Sequence, residues 1–298
     1  MENYKKIGFL ELLLTTFFTL ILGIGIGGVM FCASTIFVET VKLGMNFRET
    51  VSIFEFELSG QFYNFSALIF LILTALIVIF IRQTFGIKVY KGPADSIYAA
   101  HRTDNELDVK QGFGSTFAAL VSATGGASVG QYGPLVHFGA TLGSLLRQLT
   151  GNRFSTDVFI GCGVAAAISA GFNAPIVGII FAHEAILRHF SFKAITPIVV
   201  ASMTASTLSN FFLEPIHIFE SDLNVGSIRE ALPIALILGP IFGIVSVIYM
   251  QALRKATHFA KVLGFSPSSN LLIAAVICGS IGIFIPEILG LGTSTVSD

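Results

Sequence analysis

The stretch QGFGSTFAALVSATGGASVGQYGPLVHFGATLGSLL, Gln111 to Leu146, carries no Asp, Glu, Lys or Arg, and Gly130-Gln131-Tyr132-Gly133-Pro134 interrupts its middle. A helix needs only about 20 apolar residues to cross a bilayer, so this run can enter lipid with length to spare. Glycines followed by a proline at that depth stop one helix and start another, because proline suits a first helical turn and not an interior. A helix start leaves backbone N–H groups without an intrahelical partner and concentrates the positive end of the helix dipole. Buried in lipid, such a start attracts an anion. Irregular backbone is tolerated there only where protein covers it or a cavity adjoins it. The segment points to an anion pathway.

Composition agrees with burial in lipid. The 298-residue chain is 53% hydrophobic and only 12% charged, where a soluble domain carries about 25% charged residues. A net charge of −1 gives no electrostatic footing for nucleic acid. Cys32, Cys162 and Cys278 lie far apart inside apolar runs, which suits small buried hydrophobes and not a metal site. No cofactor or phosphate-loop motif is present. Lys5 and Lys6 precede an apolar run from Ile7 to Val38, marred only by Glu11. A signal peptide has an apolar region of about 7–15 residues, so this run reads as a retained, tilted first helix.

Further uncharged stretches are Asn64–Ile81, Val158–Ala182, Ala194–Leu213, Ala231–Leu253 and Val262–Pro286. The breaks are basic at Lys5/Lys6, at Arg82 to Lys110, at Arg147/Arg153, at Arg188/Lys193 and at Arg254 to Lys261, whereas Asn46–Ser59 and Glu214–Glu230 are mainly acidic. By the positive-inside tendency the basic breaks, and the N-terminus, are cytoplasmic. Gln111–Leu146 and Val158–Ala182 then each begin and end on that side and must turn back within the membrane. Each holds a Gly/Pro break where the turn is needed, the second at Gly171-Phe172-Asn173-Ala174-Pro175. The first long helix and a long helix near Ser227–Leu253 run in opposite senses, as the openings of two inverted repeats would. The expectation is an all-α polytopic membrane protein with tilted and broken helices, a first repeat over 1–215 and a second, over 216–298, only begun. Small-residue runs at Gly23–Gly28, Gly161–Ala170 and Ala201–Ser209 read as helix-packing faces.

These residues resemble the CLC family of voltage-gated chloride channels and chloride/proton exchangers. Gly130-Gln131-Tyr132-Gly133-Pro134 is similar to the family's Gly-Arg-Glu-Gly-Pro signature, and Gly161 to Glu184, with Phe172-Asn173-Ala174-Pro175, to its Ala-rich helix and Phe-Asn-Ala-Pro segment. The first family signature, Gly-Ser-Gly-Ile-Pro, is faint at Val89-Tyr90-Lys91-Gly92-Pro93. Gly282-Ile283-Phe284-Ile285-Pro286 fits the family's Gly-x-Phe-x-Pro pattern, but it comes too early in the chain and reads as a decoy. The resemblance implies the CLC inverted-repeat fold and an anion pathway at Lys91, Gly92, Pro93, Gly130, Gln131, Tyr132, Gly133 and Pro134. It also implies chloride or another small anion as the transported partner, a homodimer with one pathway per subunit, residence in the plasma (inner) membrane, no cofactor and no enzymatic activity.

The departures bear on mechanism. The family's gating glutamate falls at Tyr132, and its inner proton-relaying glutamate at Ala185, one residue after Glu184. A tyrosine, with an ordinary pKa near 10, cannot mimic a chloride at neutral pH. With both carboxylates replaced, passive, channel-like conduction is expected in place of proton-coupled exchange. Tyr132 either occludes the outer site, donates its hydroxyl to a passing anion, or only packs. Lys91 either draws anions into a cytoplasmic vestibule or snorkels and pairs with Asp95. His183 and Glu184 are vestibule candidates, or simply solvated residues at a helix end. Two other functions stand as alternatives: a non-conducting or partner-requiring remnant, and an intramembrane serine protease of rhomboid type. The protease would use Ser128 of Gly126-Ala127-Ser128-Val129-Gly130 with His137 or His183.

Overall fold

The computed structural model describes residues 9–51, 55–58, 61–102, 107–150, 155–189, 192–213 and 228–292. The N-terminal lysines, Arg153, the boundary at 215 and residues 214–227 of the acidic break lie outside the described residues. Helix α1 (Phe9–Thr50) outlasts the apolar run that predicts it by a dozen residues. Glu39–Thr50 contains no proline, and Val41 is buried there with Met45 packed on the core, so tertiary contact extends the helix through a polar stretch. An antiparallel hairpin of β1 (Glu55–Leu58) and β2 (Gln61–Asn64) follows, which the all-helical expectation misses. Its cause is local. The alternation Glu-Phe-Glu-Leu exposes both acids and turns Phe56 to the other face, where its ring lies 5.3 Å from that of its cross-strand partner Tyr63.

The remaining helices are α2 (Ser66–Phe85), α3 (Pro93–His101), α4 (Val109–Thr124), α5 (Tyr132–Thr150), α6 (Thr156–Phe172), α7 (Pro175–Phe181), α8 (Phe192–Phe212), α9 (Ile228–Val262) and α10 (Pro267–Phe284). A π-helical turn, Ala182–Leu187, continues α7. Among the described residues five helices are long and apolar enough to cross a membrane: segments 16–50, 66–85, 194–212, 232–262 and 267–284. The chain is an integral, multi-pass membrane protein.

Helix α6 is the hub. It is apolar on every side, and Val158 to Gly171 are all buried, as the absence of a polar face requires. Helices α1, α5, α7 and α8 surround it. Against α5 the backbones touch: a Cβ on Gly139 would strike the Gly163 backbone, and one on Gly143 the Phe159 carbonyl. Between apolar helices in lipid no hydrophobic drive favours association, so close backbone approach through small residues takes its place. The same device joins α1 to α8, where Gly23 faces Val200 at 2.7 Å and Gly27 faces the Ala201 carbonyl at 2.5 Å, measured from an ideal Cβ. Gly143 lies by Phe159, Gly139 by Gly163, and Tyr132 by Gly171. The two helices are therefore antiparallel, and the start of α5 is level with the end of α6.

Helix α9 stands apart. From Leu232 to Phe259 every residue is exposed, including Leu236, Ile237, Phe242, Ile244 and Ile248.

Candidate functional site: a junction of helix starts

The uncharged run is not one continuous span. Helix α4 ends at Thr124, a turn through Gly125 and Gly126 (φ +89°) reverses the chain, and α5 opens at Tyr132. Phe113 of α4 meets Phe138 of α5 with ring centroids 5.5 Å apart, so α5 runs back beside α4. Pro134 lies in the first turn of α5, where its missing N–H is no loss. The first turn of α5 contains no acidic side chain.

Helix α3 starts differently. Gly92 is its extended N-cap residue and Pro93 its first helical residue. The Asp95 carboxylate accepts from the Gly92 N–H at 3.0 Å and from Lys91 Nζ at 3.0 Å. Of the two readings of Lys91, the ion pair with Asp95 is therefore present, and Lys91 also lines an adjoining cavity. Lys91 N–H donates to Ser115 Oγ of α4 at 2.9 Å, which anchors the approach to the helix. The positive end of α3 thus already holds a carboxylate of its own chain. That of α5 does not.

The two starts meet. A Cβ built on Gly133 would lie 3.8 Å from Pro93 Cγ, and one turn further on Ser96 Oγ and His137 Nδ1 are 2.8 Å apart. Gly130 faces open space, with nothing within 4 Å of an added Cβ. Gln131 is buried, and its Oε1 has no hydrogen-bond partner. The Tyr132 ring stacks on Phe172 at the end of α6, centroids 3.9 Å apart and planes 29° apart.

A third break, between α6 and α7, lies level with them. Asn173 takes the left-handed conformation (φ +50°) that turns the chain, which Asn tolerates better than most residues. Its side chain donates to Asn210 Oδ1 at 2.7 Å and accepts from Ser206 Oγ at 3.0 Å, while Ser202 Oγ donates to the Pro175 carbonyl at 2.8 Å. Polar groups of α8 therefore hold the turn.

Beyond this turn Ala185 is half-buried, Glu184 is exposed and His183 is buried, its Nδ1 3.2 Å from the His189 carbonyl. His183 and Glu184 do not form a vestibule pair. The two are adjacent on one π-helical turn, and here one enters the protein while the other leaves it. Of the residues in the protease reading, His137 Nδ1 meets Ser96, and Ser128 is exposed in the turn before α5. The Gly282–Pro286 pattern marks a helix end. Pro286 opens a three-residue 3-10 turn after α10, and the following Gly290 N–H donates to the Gly126 carbonyl at 2.9 Å.

Sequence reasoning missed Ser96, Ser115 and the capping role of Asp95. An acid at the third helical position after Gly-Pro is a legible start signal. The Ser96–His137 bond, 41 residues apart in sequence, has no local signature.

Apolar spans, antiparallel broken helices and two helix starts brought together inside the packed protein define a polytopic membrane protein built on interrupted helices. The model of the family described as voltage gated chloride channel matches residues 74–298, and the chain belongs to that family. It is 27% identical over 213 residues to a ClcB-like chloride channel protein of Ralstonia nicotianae, covering 70% of this chain and 49% of the relative. It is 26% identical over 211 residues to the voltage-gated ClC-type chloride channel ClcB of Escherichia coli O81, covering 68% and 49%. The chain spans about half the length of these relatives. In fold it is similar to a CLC-type fluoride/proton antiporter, with a TM-score of 0.75 at 22% identity over 97% of this chain and 70% of that one. A slow cyanobacterial Cl−/H+ antiporter gives 0.70 at 17% identity over 92% and 66%.

Proposed function

We propose that this chain carries chloride or a similar small anion across a membrane by passive conduction through the junction of the α3 and α5 starts. One observation carries the reading: α5 opens beside α3 with a glycine and no carboxylate in its first turn. An anion there meets backbone N–H groups and the α5 dipole. With no full positive charge at the contact itself, the ion is held firmly enough to shed water and loosely enough to leave. Tyr132 and Ala185 stand at the two positions where proton-coupled relatives have glutamates, so no proton need accompany the anion. The basic breaks support a cytoplasmic N-terminus, and the family resemblance supports residence in the plasma (inner) membrane. The exposed apolar residues Ile176, Val177 and Ile180 of α7 suit a homodimer contact. Voltage gating and the absence of enzymatic activity belong to the same reading by family.

A second reading is favoured by α9. Its apolar circumference is exposed over Leu232–Phe259, which suits a polypeptide that completes its pathway against a partner. Liposomes holding the purified chain alone test the first reading: valinomycin-dependent chloride efflux without proton movement is expected. Absence of efflux overturns conduction by the chain alone. Efflux with stoichiometric proton uptake overturns the uncoupled mechanism.

A further inference from the structure

Helix α1 carries a guanidinium into the turn that precedes α5. Arg48 lies in the last turn of α1, and its side chain is only 11% exposed. It covers the reversal between α4 and α5: a Cβ built on Gly126 would strike Arg48 Nη1, and one built on Gly290 would lie 3.7 Å from Nη2. Arg48 Nη1 is buried and has no hydrogen-bond partner. The ion pair with Glu49 is long, at 4.0 Å, and that carboxylate is 62% exposed. A cation buried against so weak a partner loses its water for little return in stability. Its place needs another cause.

That cause is the end of α4. Helix α4 has no basic residue in its last turn, and the whole run from Gln111 to Leu146 is uncharged. Nothing in α4 itself balances the negative end of its dipole. Because α5 returns beside α4, that negative end lies at the same end of the pair as the positive start of α5, across the turn 125–131. An anion at the α5 start is drawn by one and repelled by the other. The end of α6, also beside Tyr132, is followed within three residues by the start of α7, so that break presents both signs. The end of α4 has no such companion but Arg48. A cation at a helix C-terminus is favourable, most so where water is partly excluded, and at Gly126 the guanidinium meets the chain two residues beyond α4. Glu287, in the turn after α10, is exposed.

We infer that Arg48 is a charge-compensating residue of the anion passage: its guanidinium cancels the negative end of α4 and so leaves the α5 start net attractive to an anion. The inference rests on the proposed conduction through that start. Arg48 acts through α4 and does not touch the ion. The role requires the charge and not the shape of the side chain, which separates it from a clamp that merely fastens α1 to the turn.

Two variants test it. Arg48→Met keeps an unbranched apolar stem and removes the charge, and Arg48→Lys keeps the charge. In liposomes the methionine variant is expected to lower chloride efflux about fivefold and to raise the half-saturating chloride concentration, and the lysine variant to stay within about twofold of wild type. The unfolding temperature of the methionine variant is expected to hold or rise, because it loses a poorly paired buried cation. A lowered unfolding temperature in that variant assigns Arg48 to packing and overturns the compensation. So does efflux unchanged from wild type, or a lysine variant as slow as the methionine one. Bromide titration of the purified chain in detergent reads the same effect without flux: binding about fivefold weaker in Arg48→Met and restored in Arg48→Lys. A wild-type chain that binds bromide but does not conduct overturns the conduction reading, and equal bromide affinity in wild type and Arg48→Met then overturns the role of Arg48 as well. A chain that neither conducts nor binds overturns both.

Discussion

Replacing Gly133 by leucine tests the junction most directly. An ideal Cβ at this position lies 3.8 Å from Pro93 Cγ, which is ordinary van der Waals contact, and the backbone there is not left-handed. Alanine therefore fits the fold, and helix propensity rises by about 1 kcal/mol over glycine. Leucine adds three more carbons beyond Cβ, and they must occupy the gap between the two helix starts or push Pro93 aside. An anion in that gap then loses access to at least one backbone donor. A hydrogen bond to a charged group contributes about 1.5–3 kcal/mol, so flux should fall about 10- to 100-fold. Gly133→Ala should fall between leucine and wild type. Chloride efflux from liposomes gives the rate, and thermal unfolding of the purified protein separates a blocked pathway from a lost fold. Efflux within twofold of wild type for a stably folded Gly133→Leu protein would refute the reasoning, because the ion would then be passing elsewhere.

Other outcomes follow from other contacts. Tyr132→Glu places a carboxylate at the start of α5, where its ionised form competes with the anion. Flux should fall as pH rises through the carboxylate range and return on acidification, and a flat pH profile would remove Tyr132 from the pathway. Gly139→Val drives a branched side chain into the Gly163 backbone and should cost about 1–3 kcal/mol through overpacking, read as a lowered unfolding temperature; an unchanged temperature would show that α5 and α6 are not in backbone contact. Asn173→Ala forfeits the bonds to Asn210 and Ser206 at a left-handed position and should destabilise by about 1–3 kcal/mol. Asn173→Gly, which keeps the backbone conformation, should recover part of that loss.

Much of the architecture was legible in one dimension, for reasons that differ by element. Long apolar runs declare spans because lipid offers the backbone no hydrogen bonds, and Gly130–Pro134 and Gly171–Pro175 declare breaks because proline and glycine act on their own turn. The extension of α1 to Thr50 was not legible, since it depends on what Val41 and Met45 touch. The β1–β2 hairpin was hidden by its shortness and by the acids that made Asn46–Ser59 read only as an external loop. His183 and Glu184 are adjacent in sequence, yet one is buried and the other exposed, which only the packing of their turn decides.

By itself the sequence determined that this chain enters a membrane and that its helices break at Gly130–Pro134 and Gly171–Pro175. Those properties are local or compositional and need no partner to express them. Tertiary structure alone decided that Gly133 meets Pro93, that Asp95 occupies the start of α3 while the start of α5 is left without an acid, and that Ser96 reaches His137. Each depends on the antiparallel register of α5 against α6 and on the return of α5 beside α4. That register follows from which glycines allow two backbones to touch, a property of pairs of helices that no single segment contains.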